Sequence, residues 1–114
     1  MESKLTIDED GNKIWKLPSG DFHKEDGPAI EYIGGDKHLF LNDKIHRENG
    51  PAVEYINGYK AWYINGQYHR EDGPAVEYAS GAKRWCLNGK QYTENEYKYE
   101  MRSRKLKKLL WNLN

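Results

Sequence analysis

The sequence predicts a mostly β chain, an antiparallel hairpin meander closed by one C-terminal α-helix. Three observations lead there. A motif returns every 23 residues, paired turn residues punctuate alternating segments, and the alternation gives way to a helical pattern after Tyr92.

The repeat comes first. HKEDGPAIEY from His23, HRENGPAVEY from His46 and HREDGPAVEY from His69 are each 23 residues apart. A second block follows the same offset: HLFLND at 38, AWYING at 61 and RWCLNG at 84. KIWKLPSG from Lys13 is an earlier copy with one extra residue. Ile7, Ile30, Val53 and Val76 continue the spacing, so four units are expected. The first lacks the Gly-Pro entry and the last carries Tyr92 in place of histidine, as atypical capping ends would.

Turn chemistry sets an expected register. Two-residue primed turns are predicted at Gly34-Gly35, Asn42-Asp43, Asn57-Gly58, Asn65-Gly66, Ser80-Gly81 and Asn88-Gly89. Three-residue loops are predicted at Asp10–Asn12 and Pro18–Gly20. These loops align Ile7, Trp15, His23; Ile30, Leu39, His46; Val53, Trp62, His69; and Val76, Trp85, Tyr92. Val53, Tyr55, Trp62, Ile64 and His69 would then share a packed face. Glu54, Ala61, Phe40, Tyr63, Arg84 and Cys86 would share the other. Glu77 is expected opposite Arg84, and Tyr32, Tyr55 and Tyr78 opposite Lys37, Lys60 and Lys83. In the Glu-Asp/Asn-Gly-Pro runs, Gly27, Gly50 and Gly73 are expected to supply positive φ.

Residues 1–92 thus read as the repeat sheet and residues 93–114 as a basic amphipathic helix on the same domain. Thr93 and Glu96 form a capping-box signature, and the helix is expected over about 94 to 112. Tyr99, Ser103, Leu106, Leu110 and Leu113, widened by Leu109, form a stripe expected to cover the last hairpin's edge. Tyr97, Met101 and Trp111 fall opposite, among Arg102, Arg104, Lys105, Lys107 and Lys108.

Composition bounds the function. The 114 residues suit one domain, and 37% hydrophobic with 32% charged suits a thin core. Eighteen basic and eighteen acidic groups cancel. Residues 1–92 hold twelve basic and fifteen acidic groups, net −3; residues 93–114 hold six and three, net +3. One cysteine, Cys86, excludes an internal disulfide. With no leader-like segment and no apolar run of about 20 residues, a cytoplasmic protein without a transmembrane segment is expected.

Candidate chemistry is sparse. His23, His46 and His69 with Glu25, Glu48 and Glu71 resemble metal or acid–base pairs. Equivalent residues two strands apart would lie roughly 10 Å apart, too far for one metal. A histidine packed on Trp15, Trp62 or Leu39, with one nitrogen bonded to a loop carbonyl, is the expected arrangement. Three copies of one motif point to structure, so no catalytic or metal residues and no cofactor are expected. Cys86 could be reactive beside Arg84 and Gln91, although a small apolar strand residue is the simpler reading.

The W-x-x-N-G-x-x-H-x-x-x-G-P-A-x-x-Y unit resembles a variant of the MORN repeat, a 23-residue β-hairpin module. The resemblance covers about residues 5–92, most strongly 37–92, with Trp62, Asn65, Gly66, His69, Gly73, Tyr78, Trp85, Asn88 and Gly89 at motif positions. Its N-G-x-x-H-R-x-x-G-P-A form is similar to repeats of phage, giant-virus and some bacterial proteins. It implies a curved single-layer sheet serving as an interaction scaffold for proteins or acidic lipids; the helix lies outside the motif. A non-enzymatic protein-binding module is therefore expected, a phage-encoded modulator or inhibitor of a host defence protein, with homodimerisation as a related outcome. Nucleic-acid or anionic-lipid binding through the basic helix is the alternative. The expected partner surface comprises Phe40, Tyr63, Arg84, Tyr97, Met101, Arg104, Lys108 and Trp111. The structural repeat positions are His23, His46, His69, Trp15, Trp62 and Trp85.

Overall fold

The computed structural model describes residues 2–112. Unit one supplies β1 (Lys4–Ile7) and β2 (Lys13–Lys16). Unit two supplies β3 (Ile30–Glu31), β4 (Lys37–His38), β5 (Phe40–Leu41) and β6 (Lys44–Ile45). Unit three supplies β7 (Val53–Glu54), β8 (Lys60–Ala61), β9 (Tyr63–Ile64) and β10 (Gln67–Tyr68). Unit four supplies β11 (Val76–Glu77), β12 (Lys83–Leu87) and β13 (Lys90–Tyr92), and α1 (Glu94–Trp111) follows. Nine strands pair as one antiparallel sheet in the order β1-β2-β3-β4-β7-β8-β11-β12-β13. The β5–β6 and β9–β10 hairpins are bonded to their neighbours through Asp43 N–H to Phe22 O, Gly66 N–H to Ile45 O and Gly89 N–H to Tyr68 O. The body measures 53 × 38 × 18 Å with a radius of gyration of 16.8 Å. A compact chain of this length would have about 13 Å, so the extended shape follows from a single-layer sheet.

Two kinds of turn alternate along the chain. The Asn-Gly turns form as the sequence predicts: Leu41 pairs with Lys44, Ile64 with Gln67 and Leu87 with Lys90. Asn42, Asp43, Asn65 and Asn88 adopt φ of 49–68°, as type I′ turns require. The other turns differ from expectation. Tyr55 and Tyr59 close a three-residue loop, with Tyr55 N–H donating to Tyr59 O at 2.9 Å. Only Gly58 has positive φ there, 103°, which is a type I turn followed by a bulge. The loops after Tyr32 and Tyr78 match it, and Asp8 closes the first loop against Asn12.

This one extra loop residue reverses the predicted faces. Val53 lies opposite Ala61, not Trp62, and Val76 opposite Arg84, not Trp85. In unit one the loop keeps its predicted three residues but starts one position earlier, so Leu5, not Ile7, lies opposite Trp15 without a change of face. Ile30, His38, Val53, Ala61, Val76 and Arg84 form one continuous row. The next row alternates in charge: Lys13, Glu31, Lys37, Glu54, Lys60, Glu77, Lys83. Lysine thus faces glutamate, in place of the expected Tyr–Lys and Glu77–Arg84 pairs, and each pair adds about 0.2–1 kcal/mol.

The core sits on the Val53 face. Val53, Ala61 and Val76 are buried against Ile45, Tyr55, Tyr59, Tyr63, Tyr68 and Tyr78. Rings step across this face from Tyr32 to His38, Tyr55, Tyr59 and Tyr78, with centroids 5.1–5.8 Å apart. Burial, then the Tyr68 hydroxyl, pushes the Tyr59 phenol up to about 12. Burial holds His38 below its ordinary value, partly offset by Asp36.

The Gly-Pro-Ala motif also acquires a cause. Ala29, Ala52 and Ala75 are fully buried, and their carbonyls accept the N–H of Trp15, Leu39 and Trp62 at 2.7 Å. A larger side chain has no room there. Gly27, Gly50 and Gly73 do not have the expected positive φ. A Cβ on Gly50 or Gly73 would instead meet the Arg47 or Arg70 guanidinium at 3.0 or 2.9 Å. A side chain at either position would have to displace that guanidinium.

Candidate functional site

The face opposite the tyrosines carries a ladder of clefts. Each has a large apolar residue on its floor and repeat loops for walls. Trp15 floors a cleft of about 640 Å³ beside Glu2, His23 and Glu25. Leu39 and Leu41 floor one of about 390 Å³ between the Lys24–Gly27 and His46–Asn49 loops. Trp62 and Ile64 floor the largest, about 780 Å³, between the Arg47–Gly50 and His69–Asp72 loops.

The histidines join the units. Nδ1 of His23, His46 and His69 accepts the backbone N–H of Asn42, Asn65 and Asn88, each at 2.9 Å. The acceptor is thus Nδ1 and the donor a turn N–H, rather than the expected histidine donating to a carbonyl. This leaves the ring proton on Nε2. Nε2 points at Glu25, Glu48 and Glu71 at 3.8, 3.8 and 2.9 Å. Only His69 is within hydrogen-bond distance of its glutamate. The bond from Nδ1 to the next unit's turn is what all three share, and it makes them structural staples.

The cations on these loops fold inward. Arg70 lies over Trp62, 3.7 Å from the ring centroid, and Lys24 over Trp15 at 4.3 Å. Arg70 also donates to Pro74 O, Glu77 and, through Nε, the rim carboxylate of Asp72, and Arg47 donates to Pro51 O and Glu54. The carboxylates of Glu25, Glu48, Glu71 and Asp72 remain largely exposed. The cleft rim is therefore acidic although arginines line it.

The last unit has no following loop, and α1 takes that place. Thr93 accepts from Glu96 N–H and Glu96 accepts from Thr93 N–H, the predicted capping box. Those hydrogen bonds hold the Glu96 carboxyl below its usual value. One turn in, Tyr97 is 4% exposed and its ring lies 5.0 Å from Trp85. Its hydroxyl donates to Arg70 O and accepts from Gly73 N–H. The fourth cleft is filled from within.

The helix faces the opposite way from expectation. Tyr97 docks, with Met101 and Arg104 half-buried beside it. Tyr99, Leu106 and Leu110 are 73%, 55% and 63% exposed, and Leu109 and Trp111 are exposed as well. Of the predicted stripe, Tyr99, Leu106, Leu109 and Leu110 point to solvent and Ser103 is half-buried; Leu113, its last member, lies outside the described residues. The Trp85 ring decides the orientation by receiving an aromatic at one particular turn. Arg104 is held by Glu100 and Lys98 by Glu94, whereas Lys108 is exposed.

The remaining expected partner residues separate. Phe40 and Tyr63 are half-buried in the aromatic face, Phe40 against Phe22 and His38, Tyr63 against Tyr68. Arg84 is exposed, 5.8 Å from the Tyr78 ring. The eight residues therefore do not form one surface: three lie on the tyrosine face and five on the helix. The acidic cleft rims were missed in the sequence, although the repeated Glu-Asp/Asn pairs 23 residues apart carried the signal. Cys86 is buried, and burial raises its thiol, so it stays protonated despite Arg84. Among the described residues no three His, Cys, Asp or Glu side chains converge to hold a metal. No described helix is long and apolar enough to cross a membrane. No family model, curated protein or solved structure matches the chain.

Proposed function

We propose that this chain is a non-catalytic protein-binding module of the MORN-repeat type, and that its partner is a protein with an acidic, partly apolar surface. One observation carries the reading: Tyr99, Leu106 and Leu110 line the outer side of α1 and meet solvent. A helix anchored by Tyr97 has no intramolecular use for that stripe, and an exposed apolar stripe flanked by charge fits a helix-in-groove contact. Arg102, Lys105 and Lys107 accompany it, so the groove it enters is acidic. Resemblance of the repeat to phage and giant-virus forms supports a host protein, such as a defence enzyme, as the target.

Affinity capture from a host lysate with the full chain and with L106D/L110D tests this. A partner lost with the double variant, and released only partly by salt, supports the reading. Capture equal by both would refute it. The basic side of the helix favours one second reading, binding to nucleic acid or anionic lipid. That predicts association with single-stranded DNA or phosphatidylserine vesicles that falls steeply with salt. A dimer in light scattering abolished by L106D/L110D would make a second copy the occupant.

A further inference from the structure

The fourth cleft shows what the other three accept. Its occupant is a tyrosine ring against a tryptophan, with the hydroxyl bonded to the carbonyl of Arg70 and the N–H of Gly73. The repeat places Trp62, Arg47 and Gly50 at the same positions, 23 residues earlier. All three line the open cleft. The geometry points to a second binding surface: the Trp62 cleft is a seat for a tyrosine side chain presented by a basic segment of a partner protein. This rests on the reading that the chain binds protein, but uses a different surface.

Three features define the ligand. Arg70 already stacks on Trp62, so the incoming ring meets a guanidinium–indole stack, and a π face suits that cation. Arg47 O and Gly50 N–H offer an acceptor and a donor to one hydroxyl, as Arg70 O and Gly73 N–H do for Tyr97. Phenylalanine would leave that pair unmet. The rim is acidic, with Glu48 and Glu71 exposed, Arg47 turned inward to Glu54, and Arg70 shared between Glu77 and the rim carboxylate of Asp72. A segment carrying Lys or Arg beside its tyrosine fits this rim. The Leu39 cleft is smaller and lacks an indole, which makes Trp62 the stronger seat.

The test uses the full chain and a synthetic peptide copying Thr93–Arg104 with Glu94, Glu96 and Glu100 changed to Gln, which makes the segment basic. The indole N–H resonance of Trp62 is followed by NMR, assigned with W62L. Leucine is tolerated at this repeat position, because Leu39 occupies it one unit earlier. Saturable movement of the Trp62 signal, weakened about five- to tenfold when the peptide carries Phe at the Tyr97 position, is expected. An unmoved signal at millimolar peptide, or equal binding of the Phe peptide, would overturn the proposal. The chain carrying L106D/L110D should bind the peptide as the native chain does, so failure of the seat and failure of the helix reading are separable. Concentration-dependent self-association abolished by W62L would assign the seat to a second copy, through its exposed Tyr99, and overturn the foreign partner.

Discussion

The junction between units three and four and the junction between unit four and the helix start from the same repeat and are closed differently. At the inner junction, His69 reaches the next turn through Nδ1, and Arg70 stacks on Trp62, which still lines an open cleft. At the terminal junction, Tyr92 replaces the histidine, Thr93 replaces the arginine, and Tyr97 covers Trp85 instead. A cation held by its own loop does the inner work, whereas a phenol carried on a helix does the terminal work. The difference teaches that a unit of this array is incomplete without a neighbour. The helix supplies the neighbour's contacts and not its strand.

The largest effect should come from breaking the terminal closure. Y97A removes a buried ring and both hydroxyl bonds, costing about 3 kcal/mol. Thermal melting should fall by roughly 4 °C or more per kcal/mol, and amide exchange should accelerate along the whole of α1. A melt within error of the native chain would show that α1 does not cap the body. The inner junction should be weaker link by link. H69A leaves the Asn88 N–H without its acceptor and costs about 1–2 kcal/mol. H46A should cost no more, because its bond to Asn65 has the same length while its Nε2 lies 3.8 Å from Glu48, against 2.9 Å between His69 and Glu71. A larger loss for H46A would mean that the staple bond is not the main contribution.

Titration reports chiefly on the tyrosine face. His38 is held below its ordinary value of 6.5 by burial, so the unfolded chain takes up the proton first. Stability should therefore fall as pH drops below about 6.5 and level off once folded His38 also titrates. Tyr59 is raised to about 12, so the unfolded chain loses its proton first. Stability should decline as pH rises from about 10 toward 12. H38F should flatten the acid limb, and Y59F should lessen the alkaline limb, to which Tyr63 and Tyr97 also contribute, in urea melts across pH. The smallest effect belongs to the outer helix. L106S with L110S should leave stability within about 0.5 kcal/mol by thermal melting, since neither side chain is packed.

Much of this architecture was legible in the residues. The period, the four units, the Asn-Gly turns and the Thr93–Glu96 cap all follow from short-range chemistry. The register of the Tyr-x-x-Gly turns did not, because Asn57-Gly58 also fits a two-residue primed turn. The neighbouring units held the correction: serine at position 80 is a poor residue for positive φ, and only the glycine of each pair adopts it. Missing that residue placed Trp62 and His69 with the core, when they belong to the clefts. Helix orientation was illegible for another reason. Tyr97 with Met101 and Tyr99 with Leu106 and Leu110 are both plausible apolar sides, and only Trp85 and the Arg70 carbonyl choose between them.

The repeated staple makes the molecule a ruler. His23 to Asn42, His46 to Asn65 and His69 to Asn88 are the same bond at the same length, 2.9 Å. Excising residues 47–69 or duplicating them would join a native sequence on both sides of each new junction. Each 23-residue step adds two strands to the main sheet, about 10 Å at the spacing of paired strands. Chain length in whole units would then set how far α1 stands from the β1 edge, in discrete increments, while both ends stay unchanged.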